Sequence, residues 1–111
     1  MLFRSNAFTK MGNTVVFTAA TTAPTPVQAL SSSLGGNQYR IINNGNVVVF
    51  LGYGSTSADA ANNALVVSSS QAAFPLLPGT DEILTFVPNA YFTGITSSGT
   101  ATVYITPGDG L

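Results

Sequence analysis

The chain has 111 residues, of which 45% are hydrophobic and only 6% charged, with a net charge of −1; so small a charged fraction gives little electrostatic protection from self-association. The three cations, Arg4, Lys10 and Arg40, are scattered and outnumbered by Asp59, Asp81, Glu82 and Asp109, so no basic stripe exists to neutralise phosphates and no nucleic-acid partner is expected. Cysteine and histidine are both absent, which excludes disulfides, thiolate and imidazole metal sites, and Ser-His-Asp or Cys-His catalysis.

At this length one domain with one modest core is expected, because folding removes roughly 65% of the unfolded chain's accessible surface. The first ten residues, MLFRSNAFTK, have no apolar centre of signal-peptide length, and no later run approaches the roughly 18 apolar residues of a membrane span. Manufacture without the secretory route, and no membrane partner, are the expectation. Residues 1–12 carry Leu2, Phe3 and Phe8 and read either as an edge strand or as an arm that docks on a neighbour. Residues 13–111 read as a β-sandwich domain.

Short β-branched and aromatic runs, separated by Gly, Pro, Asn and Ser clusters, predict strands throughout. The first is NTVVFTA (Asn13–Ala19). In APTPVQAL two prolines impose an extended approach and mark an edge before the strand PVQAL (Pro26–Leu30). QYRII (Gln38–Ile42) and VVVFLG (Val47–Gly52) flank NNGN, where Asn44 and Gly45 suit a two-residue turn at positive φ. STSADAANNAL is expected to be a loop with one helical turn at most, capped by Ser55 or Ser57. ALVVSS (Ala64–Ser69), EILTFV (Glu82–Val87), YFTGIT (Tyr91–Thr96) and TATVYIT (Thr100–Thr106) complete the strands. Pro78 and Gly79 suit the centre of a type II turn, and Ser97–Gly99 a hairpin loop. About eight short strands predict an all-β, single-domain antiparallel β-sandwich, jelly-roll-like in architecture.

If Asn44 and Gly45 close a hairpin, opposed residues share a face. Tyr39, Ile41, Val48 and Phe50 then form one face, which reads as core. Arg40, Ile42, Val47 and Val49 form the other, apolar but for one arginine. Such a face requires either a further layer of this chain or another subunit, and three β layers are improbable at this length. Arg40, Ile42, Val47 and Val49, with Leu2 and Phe3 of the arm, are therefore the interface candidates. A wider loop would shift the register and exchange the two faces.

No catalytic, cofactor-binding or metal-ligating residues are expected, and no enzymatic activity. Asp81 and Glu82 are adjacent, and neighbours on a strand point to opposite faces, unlike the facing carboxylates of a glycosidase. GYGSTS lacks the third glycine, the lysine and the following helix of a phosphate-binding loop. The GDG sequence at 108–110 has one carboxylate only and reads as a terminal tail.

The stretch PLLPGTDEILTFVPNAYFTGITSSGTATVYITPGDGL resembles the closing strands of small all-β capsid decoration (cement) proteins of tailed bacteriophages. YRIINNGNVVVFLGYGSTSADA fits the same pattern, whereas the N-terminal third carries no such resemblance. The resemblance implies a structural protein of the virion, assembled in the host cytoplasm and seated on the outer surface of the capsid. There it would bridge subunits of the major capsid protein and associate with itself as a dimer or trimer. Two other readings compete. One is a tail, fibre or baseplate component that binds host-surface glycan through Tyr39, Tyr53, Tyr91 and Phe92. The other is a free lectin-like or enzymatic domain, monomeric, with a small-molecule ligand.

Overall fold

A computed structural model describes residues 9–30 and 37–109. Its elements in chain order are β1 (Thr9–Lys10), β2 (Val15–Ala19), β3 (Val27–Gln28), β4 (Gln38–Asn43), β5 (Val49–Gly54), the helix α1 (Ser57–Asn63), β6 (Phe74–Leu76), β7 (Asp81–Thr85), β8 (Tyr91–Ile95) and β9 (Ala101–Asp109). They form two antiparallel sheets. In the first, β1 and β2 lie end to end along the nine-residue β9, which is followed by β4 and β7. In the second the order is β3-β8-β5-β6. From β2 to β9 every connection crosses between sheets except that from β5 to β6. This is the strand order of a jelly roll, a five-stranded and a four-stranded sheet face to face.

The period-2 alternation of each strand explains the layering. Phe17 and Ala19 of β2, Tyr39 and Ile41 of β4, and Ala101, Val103 and Ile105 of β9 point inward from the first sheet. Val49 and Leu51 of β5, Leu76 of β6 and Phe92 of β8 meet them from the second. Most of these side chains are wholly buried. Each large one contributes about 1.5–3 kcal/mol of hydrophobic stabilisation.

The predicted hairpin does not form. β4 pairs with β7 and β9, β5 pairs with β6 and β8, and the two strands lie in opposite sheets. Neither Asn44 nor Gly45 adopts positive φ. The inward apolar side chains of this stretch, Tyr39, Ile41, Val49 and Leu51, are therefore covered by the two facing sheets. The parity expected for β4 is observed, with Tyr39 and Ile41 inside. For β5 it is reversed: Val49 and Leu51 are buried, while Val48 and Phe50 are only partly covered.

Asn43 makes this corner. It is wholly buried, and its Nδ2 donates to the carbonyls of Val47 and Leu76, both at 3.0 Å. Its Oδ1 accepts from the Gly45 amide at 3.1 Å. Its own amide donates to Thr80 O, and its carbonyl accepts from Gly79 N. One amide side chain thus satisfies the backbone at the turn from β4 to β5 and joins it to the corner from β6 to β7.

The other turn readings divide in the same way. The type II turn is present, with Gly79 at φ 71 and Thr80 N donating to Leu77 O; a side chain there would be strained. The turn at Ser97–Gly99 also exists, but it joins β8 to β9 across sheets and is not a hairpin loop. The helix is longer than expected, at seven residues, and its cap is Thr56, whose Oγ1 accepts from Asp59 N at 3.1 Å. ALVVSS forms no strand. The amides of Ser68 and Ser69 donate to the Gln71 side chain in place of a ladder, and the strand comes later, at Phe74–Leu76.

Candidate functional site

The two outer faces of the sandwich differ in how they are finished. On the second sheet, α1 lies across β5 and β8. Gly52, which registers with the buried Thr93, has no side chain, and a Cβ there would fall 2.5 Å from Ala60 O and Ala64 N. Asn63 Nδ2 donates to Tyr53 O at 3.0 Å and holds the helix down.

On the first sheet no element among the described residues plays this part, and the strand register sets out the exposed face row by row. Val16, Tyr104, Ile42 and Asp81 stand side by side across β2, β9, β4 and β7. At the usual strand spacing that row spans about 14 Å. The adjacent row holds Thr106, Arg40 and Ile83, with the Thr14 hydroxyl 2.7 Å from that of Thr106. Beyond it Gln38 stands between Gly108 and Thr85. Val16 is 50% exposed and Tyr104 37%.

Charge on this face consists of Lys10, opposite Gly108 at the β1 end, and one bidentate pair near the β7 edge. Arg40 Nε lies 3.0 and 3.1 Å from the two carboxylate oxygens of Asp81, and Nη2 2.5 Å from one of them. The hydrogen bond and the charge of Asp81 raise the guanidinium's already high pKa. Both side chains are close to half exposed, 49% and 43%, so solvent screening limits the pair to below about 1 kcal/mol. Its main effect is to cancel charge and orient Arg40.

The interface candidates named from sequence are not one patch. Arg40 and Ile42 lie on the outer face of the first sheet. Val49 is wholly buried in the core and offers no surface. Val47, at the turn after Asn43, packs half-buried against the core. Leu2 and Phe3 lie outside the described residues. Thr9 and Lys10 pair with Asp109 and Gly108 and extend the first sheet along β9. Val16, Tyr104 and Ile83 belong to the face and were not singled out from sequence. The alternation Val16-Phe17-Thr18-Ala19 and the tyrosine between Val103 and Ile105 carried that signal.

The proposed glycan-binding aromatics are not a surface platform either. Tyr39 and Phe92 are both wholly buried and meet edge to face at 4.8 Å. The Tyr39 hydroxyl donates to Val87 O at 2.5 Å and accepts from Ala90 N at 3.1 Å. Burial pushes its pKa upward against the smaller opposing effect of the backbone bonds from Ala90 and Asn89. Tyr53 meets Phe86 edge to face at 4.9 Å and lies 6.3 Å from Phe92. These rings close one end of the core. Tyr91, half-buried, is left with partial exposure only.

Among the described residues no group of three or more acidic side chains gathers as metal ligands would, and no helix is long and apolar enough to cross a membrane. No protein-family model, curated protein or solved structure matches the chain.

Proposed function

We propose that the chain is a structural protein of a tailed-phage virion, a decoration or cement protein that bridges major capsid subunits through the outer face of its first sheet. The observation that carries this reading is the row Val16-Tyr104-Ile42, an apolar strip on a sheet face that no described element covers and whose Arg40–Asp81 pair is internally neutralised. Exposed apolar area of this kind, bordered by threonines, suits association with protein and not with an anionic or small polar ligand. The likeness of the C-terminal strands to decoration proteins supports the identity of the partner. The glycan-binding alternative has lost its main aromatics to the core.

Co-sedimentation with capsids that lack the chain tests the proposal. Wild-type protein should bind saturably in hundreds of copies per particle, and Ile42→Lys should remove binding while the fold remains, because the new lysine stands directly opposite Asp81. Absence of wild-type binding, or saturation at a few copies, would sink the decoration reading; the second result would favour a tail component.

A further inference from the structure

An exposed strand edge presents unpaired amides and carbonyls to any other extended chain, and natural sheets guard such edges with short strands, proline or charge. Three of the four edges here are guarded. β3 has two residues and follows Pro24 and Pro26; β6 has three, with Pro75 in the middle; β7 begins with Asp81 and Glu82. The fourth edge is formed by β1 and β2. β1 is two residues long and carries Lys10, but β2 has none of these devices. Its five residues, Val15–Ala19, contain no proline and no charge, and among the described residues it pairs with β9 on one side and with no strand on the other. Alternate residues of β2 therefore direct their backbone groups away from β9.

We propose that this edge takes β2 of a second copy of the chain, the two strands pairing antiparallel so that two first sheets become one. Identical edges satisfy one another under a two-fold axis, and β2, which carries no charge, meets no repulsion from the β2 of its own copy. The symmetry also selects the register. A two-fold axis normal to the sheet keeps inward residues opposite inward ones, so Phe17 stands opposite its counterpart and the exposed Val16 opposite Thr18. The outer faces then lie on the same side, and the two rows Val16-Tyr104-Ile42 run on into each other across the axis. The inference does not depend on the capsid reading: a dimer that ignores capsids removes that reading alone.

Sedimentation of the intact chain over a dilution series, with amide exchange measured in parallel, tests it. Wild-type protein should weigh twice 11.4 kDa when concentrated and dissociate on dilution, with the outward amides of Val15–Ala19 protected only in the concentrated sample. Val16→Lys with Thr18→Lys places lysines opposite one another and should give a monomer at every concentration with an unchanged far-UV spectrum. Should that variant misfold, the concentration dependence of the wild-type amides decides alone. A wild-type monomer throughout overturns the proposal. So does an oligomer whose β2 amides exchange equally fast at all concentrations, or an edge protected only when capsid protein is added.

Discussion

The outer face of the second sheet and that of the first are finished in opposite ways. Over β5 and β8 the side chains shrink to Gly52 and Thr93, so a helix approaches within contact of the backbone. Over β9 and β4 the side chains are Tyr104, Ile42, Thr106 and Arg40, too large for a layer at that distance, and no element of the described chain covers them. Apolar content alone therefore does not reveal which face is spoken for. Side-chain size under the cover does.

Gly52→Leu breaks the covered face most directly. The Cβ collides with backbone atoms of α1 that cannot rotate away, so a loss of about 3 kcal/mol is expected, read from the urea midpoint. Asn43→Ala acts where the chain leaves one sheet for the other. It strands the carbonyls of Val47 and Leu76 and the Gly45 amide, with an expected loss of about 2–3 kcal/mol by the same measurement.

Tyr39→Phe is smaller and has a pH signature. Loss of the bonds to Val87 O and Ala90 N should cost about 1–2 kcal/mol at neutral pH. Because the folded-state pKa of Tyr39 is raised, the neutral phenol is favoured in the fold. Its contribution is complete below the unfolded value near 10 and is lost as pH rises through the higher folded value. Stability curves measured from pH 8 to pH 12, a range of roughly two units either side of that value, should fall less steeply for the variant than for wild type. On the open face, Ile42→Lys should change stability by less than about 0.5 kcal/mol. A large destabilisation there would mean that the face is covered after all.

Much of the fold was legible. The alternation in TVVFTA, QYRII and TATVYIT located β2, β4 and β9, and Pro78-Gly79 located a turn whose type the structure bears out. The candidate face was only partly legible. Arg40 and Ile42 were found, but Val47 and Val49 were assigned to them through a hairpin that does not exist. Turn-forming residues report that the chain reverses, and they do so equally well at a hairpin and at a corner between sheets.

What the sequence by itself determined is the class of structure and the absence of certain chemistry. Period-2 apolar runs of this length can bury their surface only as paired sheets, and a chain without histidine or cysteine cannot build centres that depend on imidazole or thiolate. What only the tertiary structure decided is which strands are neighbours, and hence which residues share a surface. Val16, Tyr104 and Ile42 are separated by tens of residues along the chain, and they stand side by side because β9 runs between β2 and β4. That placement depends on how two layers close over a common core, a non-local choice that local residue preferences do not encode.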